Sequence, residues 1–209
     1  MSENGSIDQG RERSRLLDPN WSYVERPTLD DFTVADWSVL NRQRGPYYSV
    51  EQARQALRLL EGSRDDPSFG YEVNNFRHCL QTATAALQDG RDEEYVVMAL
   101  LHDVGFVVCP TSHGAFAAEL LAPYVSDFTR WALERHMFFQ AVHCAHSPGI
   151  DPNVRERWRG HPHFEATAEF VARYDITTIR CGLPEAPIAV FEPMVRRIFA
   201  RPPRMELPP

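Results

Sequence analysis

The stretch "ALLHDVG", residues 99–105, ends an apolar run with a histidine beside an aspartate and then a glycine. Neighbours as unlike as His102 and Asp103 turn toward one point only where an imidazole and a carboxylate are both rewarded, and a metal ion is the first candidate. Further groups of the same chemistry follow the same pattern. His78, His113, His136 and Asp175 each fall near a helix end or on a helix with an apolar face. For His78 alone, a satisfied core histidine is the simpler reading. Burying several imidazoles and two carboxylates without partners is costly, however, and a cation offsets both the charge and the lone pairs. Imidazole and carboxylate without thiolate suit iron or manganese as well as zinc.

The elements that must position these groups read as helices. "SVEQARQALRLLEG" carries a capping box at Ser49 and Gln52, an apolar stripe of Val50, Ala53, Ala56, Leu57 and Leu60, and a stop at Gly62. "FGYEVNNFRHCLQTATAALQDG" is a second helix, ended by Gly90, with Asn74, Asn75, Gln81 and Thr82 on the face of His78. "DEEYVVMALLHDVG" is a third, with acids in its first turn. "SHGAFAAELLAPYV", "SDFTRWALERHMFFQAVHCAH", "HFEATAEFVARYD" and "PIAVFEPMVRRIFA" supply four more. No run sustains a period of two, and no repeat occurs. The expectation is an all-α bundle with an extended N-terminal arm: residues 1–27 as a partly flexible arm, 28–200 as the domain and 201–209 as a tail.

In that helical context the ordered set of His78, His102–Asp103 and Asp175, with "RHCLQTA" and "LLHDVG" as local signatures, resembles the HD-domain superfamily of metal-dependent phosphohydrolases and oxygenases. It is most similar to the small bacterial oxygenases that cleave hydroxylated phosphonates, distant relatives of myo-inositol oxygenase, over residues about 66 to 200, including "FEPMVRRIF". The resemblance implies a first iron held by His78, His102, Asp103 and Asp175. Asp103 would bridge to a second iron held by His113 and His136. A bridging carboxylate suits two ions about 3.5–4 Å apart. Such enzymes use two iron ions of mixed valence, Fe2+/Fe3+, to turn dioxygen on a small hydroxylated substrate. The same ligands serve the alternative, a hydrolase using manganese or zinc on a phosphomonoester or nucleotide.

Where those oxygenases carry a histidine and a lysine near the phosphonate, this chain has Phe106 and Gln140. An aromatic ring and a neutral amide cannot replace two cationic contacts to a dianion. The substrate expected is a small hydroxylated compound with a less charged head, Gln140 offering it a hydrogen bond, unless an arginine of Arg155, Arg157 and Arg159 compensates. The tyrosine and glutamate that gate the vacant iron in the family align with Ser68 and Tyr71, and Tyr71 and Glu72 stand close enough to serve after a local shift. His143, seven residues after His136, lines the pocket or merely packs; His146, His161 and His163 are read as loop histidines.

The net charge is −7 and the pI is near 5.6, which argues against a nucleic-acid surface; all basic residues are arginine, with no sustained cluster. No apolar run approaches a membrane span and the start "MSENGSIDQGRERSR" lacks a signal peptide's apolar stretch, so a cytoplasmic protein is expected. Four scattered cysteines without a CxxC pair read as reduced and mostly core filler.

Overall fold

Every regular element among the described residues is helical, as the sequence periodicity requires. The computed structural model describes residues 22–68 and 70–204. They fall in two compact units, one ending at Tyr47 and the other beginning at Tyr48. The flexible arm expected over the first residues lies mostly outside the described ones.

In the first unit, residues 22–28 have no helical structure, a 3-10 turn spans Leu29–Asp31, and helix α1 covers Val34–Pro46. No apolar stripe announces α1, and none of its residues is buried. Its signal is a cap. The Asp36 carboxylate accepts from the Thr33 backbone N–H at 2.8 Å, and the Thr33 hydroxyl accepts from the Asp36 N–H at 3.4 Å. The amide of Gln43 ties residue 22 to this helix, accepting from the Ser22 N–H at 2.7 Å and donating to its carbonyl at 2.9 Å.

In the second unit, α2 (Gln52–Gly62) follows a π-helical turn over Tyr47–Glu51. Glu51 already has helical angles, so the cap expected at Ser49 does not form: Ser49 lies within the turn. Ala53, Ala56, Leu57 and Leu60 are buried as the stripe predicts, while Val50 is exposed. α3 (Asn75–Gln88) starts later than its sequence pattern suggests, because Asn74 caps it. The Asn74 side-chain oxygen accepts from the Arg77 N–H at 3.1 Å, and its amide donates to the carbonyls of Arg64 and Asp66 at 2.8 and 3.0 Å.

The centre of the unit is α4 (Glu93–Leu101), in which every residue from Val96 to Leu101 is essentially inaccessible. A helix apolar all round must be enclosed, and α3, α6 (Asp127–Gln140) and α8 (Ile188–Phe199) pack on it. Each of Leu100 and Leu101 contributes about 1.5–3 kcal/mol by such burial. α5 (His113–Leu121) pairs with α6, and α7 (Phe164–Phe170) runs into a second π-helical turn, Val171–Asp175. The extra residue is visible in the Ile176 N–H, which reaches back five residues to the Val171 carbonyl at 3.1 Å. Among the cysteines Cys79 alone is buried; Cys144 and Cys181 are exposed, so the core-filler reading applies to one residue. Their neighbours explain this: Cys144 follows the end of α6 and Cys181 lies in the irregular segment before α8. No helix among the described residues is long and apolar enough to cross a membrane.

Candidate metal centre

His102 is the first residue past α4 and Asp103 follows it, so the buried central helix delivers both to one point. His78 comes from the second turn of α3, His113 opens α5, His136 lies one turn before the end of α6, and Asp175 ends the π-helical turn after α7. All six are buried.

Their orientation follows one rule. Each imidazole directs Nδ1 to a backbone carbonyl: His78 to Thr178 at 2.9 Å, His102 to Ala99 at 2.8 Å, His113 to Pro110 at 2.7 Å and His136 to Leu133 at 2.8 Å. A carbonyl only accepts, so each Nδ1 carries a hydrogen and each ring turns Nε2, the nitrogen left to bind a cation, inward. Those nitrogens meet. The Nε2 atoms of His78 and His102 are 3.1 Å apart, as are those of His113 and His136. Ring nitrogens at that distance need positive charge between them, as a proton or as a metal ion.

The carboxylates converge on the same space. Asp103 Oδ1 lies 2.9 Å from His113 Nε2, 3.2 Å from His136 Nε2 and 3.6 Å from His102 Nε2, while Oδ2 lies 3.9 Å from His78 Nε2. Asp175 Oδ1 lies 3.5 and 3.6 Å from the Nε2 atoms of His78 and His102. Two trios, His78–His102–Asp175 and His102–Asp103–His136, each have donor atoms within 4.8 Å of one another. Asp103 therefore stands between two donor groups, with one oxygen nearest the His113–His136 pair.

The electrostatics favour a cation here. Burial alone would lower the His102 pKa, but Asp103 and Asp175 outweigh it and push it up to about 9. His113 is raised against the same burial by Asp103. Burial would raise both carboxyls, yet the surrounding imidazoles hold Asp103 and Asp175 well below the usual carboxylate range. The pocket thus attracts positive charge even without a metal, and four nitrogen and two carboxylate donors with no thiolate match an ion such as iron, manganese or zinc.

Two glycines permit this convergence. A Cβ on Gly105 would meet the His113 carbonyl and Phe116 Cβ, each at 2.8 Å; one on Gly114 would meet the Leu133 carbonyl at 2.6 Å. Neither has a positive φ, so close approach is their role. Thr178 is a further supporting residue that the sequence pattern does not single out. Its carbonyl orients His78, and its hydroxyl meets that of Thr82 at 2.7 Å. Asn75 Nδ2 donates to the Asp103 carbonyl at 3.2 Å.

The other candidates are placed differently. Gln140 Nε2 donates to Asp175 Oδ2 at 2.7 Å, and Phe106 lies over the His113 ring with centroids 5.2 Å apart. Tyr71 is 57 % exposed, and the Glu72 carboxylate accepts from the Cys181 N–H at 2.8 Å; the structure does not bring either into the hydrogen-bonded cluster. α6 ends at Gln140, which breaks the helical spacing from His136, and His143 is exposed. His161 stacks on Trp131 with centroids 4.4 Å apart. The guanidinium of Arg155 lies over Phe139 and Phe164, that of Arg157 over Trp158 and Phe138, and that of Arg159 over Phe164.

Compared with known proteins, the chain matches no family model and no curated protein.

Proposed function

We propose that the chain is a dinuclear metal enzyme of the HD-domain kind, an oxygenase that uses two iron ions and dioxygen on a small hydroxylated metabolite. The observation that carries the reading is the set of four Nε2 atoms, each ring fixed by its own Nδ1 hydrogen bond, facing each other in two pairs around Asp103. His78, His102 and Asp175 would hold one ion, His113 and His136 the other, and Asp103 would join them. Bound iron would polarise the substrate hydroxyl and pass electrons to dioxygen.

The residues around the metals do the rest. The carbonyls of Thr178, Ala99, Pro110 and Leu133 keep the rings from turning, so ligand geometry is set before substrate arrives. His102, His136 and Asp175 are at most 2 % exposed, while His78, Asp103 and His113 retain 5–8 %, so substrate approaches past the latter three. Phe106 beside His113 gives that approach an apolar wall. The three loop arginines are engaged with aromatic rings, which supports a substrate head less charged than a phosphonate dianion. Two missing charge-assisted contacts at about 1.5–3 kcal/mol each would weaken dianion binding by a factor of about a hundred or more.

The experiment begins with metal analysis of protein prepared with iron in the absence of air, followed by electron paramagnetic resonance after partial oxidation. Two ions per chain and a coupled mixed-valent signal are expected. The loaded protein is then offered hydroxy acids, polyols and hydroxy-phosphonates, with dioxygen consumption as the readout. Saturation near one ion per chain would overturn the dinuclear reading. Hydrolysis of phosphomonoesters or nucleotides without dioxygen uptake would replace the oxygenase with a phosphohydrolase.

A further inference from the structure

Gln140 is the last residue of α6, one turn beyond His136 and on the same face. Its neutral amide stands close to the metal donors, where a substrate contact is the obvious role. The structure gives it another partner. Nε2 donates to Asp175 Oδ2 at 2.7 Å, a short bond to a carboxylate that is 2 % exposed. The two oxygens of Asp175 are thereby divided: Oδ1 faces the His78–His102 pair and Oδ2 is taken by the amide.

We infer, on the basis of the proposed metal site, that Gln140 is a positioning residue that holds Asp175 as a one-oxygen ligand and couples the two halves of the centre. Three features of the geometry lead there. Asp175 ends a π-helical turn that holds its backbone but leaves its side-chain bonds free to rotate, so its carboxylate needs a side-chain stop. The Gln140 amide supplies that stop, and it is uncharged, so Asp175 keeps its full negative charge for the ion. α6 also presents His136 to the other half of the centre. One rigid helix thus supplies a ligand to one ion and orients a ligand of the other. Any shift of α6 on binding the second ion is transmitted to Asp175 at the first.

Without the N–H donor, Oδ2 would be free to turn toward the ion, and Asp175 would bind through both oxygens in altered geometry. Removing such a supporting hydrogen bond typically lowers metal affinity by about 10–100-fold. The loss should fall on the ion held by His78, His102 and Asp175, with the other reduced less.

The test uses full-length protein stripped of metal and titrated with Co2+, read by calorimetry and by the visible absorption of the bound ion. Gln140→Met keeps the volume and removes the donor; Gln140→Leu removes it with a smaller side chain. In wild type two ions should bind. In both variants one of the two should weaken by about 10–100-fold with a changed absorption envelope for that ion, while circular dichroism of the metal-free protein shows the helices retained. If Gln140→Met does not fold, Gln140→Leu carries the same comparison. Two unchanged affinities and an unchanged spectrum in a folded variant would overturn the role of Gln140 and leave the metal site standing. Wild type that binds no Co2+ would overturn both.

Discussion

Replacing Gly114 by alanine should unfold the protein more easily and empty half of the metal centre, against the usual sign of such a change. Within a helix, glycine to alanine ordinarily stabilises by about 1 kcal/mol, because alanine loses less backbone freedom. Here the added methyl would lie 2.6 Å from the Leu133 carbonyl and 3.0–3.1 Å from the His136 ring. Ordinary contact begins near 3.4 Å, so α5 and α6 must part by about 0.8 Å. Overpacking of that kind costs about 1–3 kcal/mol, and a clash with backbone falls toward the upper end, above the gain in propensity. A net loss of up to about 2 kcal/mol corresponds to a melting temperature lower by up to about 8 °C for a chain of this size. The clash also strikes the acceptor of the 2.8 Å bond from His136 Nδ1, so the ion beside His113 and His136 should bind about 10–100-fold more weakly. Calorimetric melting of metal-free protein and metal analysis after dialysis give the two readouts. A variant that melts at or above wild type and retains two ions would refute the packing argument.

Asp103→Ala should abolish binding of both ions, where any single histidine change weakens one; retention of two ions in that variant would remove Asp103 from its place between them. His161→Ala should leave metal content unchanged and alter Trp131 fluorescence, since that imidazole stacks on the indole. Glu94 supplies a pH test. Burial opposes its ionisation, but Ser126, Arg201 and Thr129 bond its carboxylate and lower its pKa from 4.5 to about 2. A depressed carboxyl stabilises above its unfolded pKa, and the benefit is lost as pH falls from about 4.5 toward 2. After allowance for solvent screening the contribution is about 2 kcal/mol, so Glu94→Gln should melt lower at pH 7 and show a flatter decline between pH 4.5 and 2. Parallel pH profiles for the two proteins would sink that assignment.

The all-α fold was legible because α3, α4 and α8 carry apolar periodicity or a continuous apolar run that local sequence alone reveals. α1 was not, because it buries no side chain and declares itself only through Thr33 and Asp36. Ser49 misled for a related reason: a good cap sequence has nothing to cap where the preceding backbone is already helical. At the site, residue types and order were readable, since buried imidazoles and carboxylates demand partners. Their supports were not. The acceptors of the four Nδ1 hydrogens are backbone carbonyls, which every residue possesses, and Gln140 meets Asp175 at a sequence separation of 35. Gly114 looks like any glycine near a helix start until α6 is packed on it.

The π-helical turn at Val171–Asp175 sets helical regularity against the aim of one carboxylate. Winding residues 171–175 as ordinary α-helix at unchanged length would complete the ladder of four-residue bonds and turn the aspartate by about 100°, the share of one residue. That chain would have better local geometry and an aspartate rotated away from His78 and His102. The extra residue is what aims Asp175, and a design that idealised the helix at its present length would gain a sturdier bundle with that carboxylate turned off the cluster.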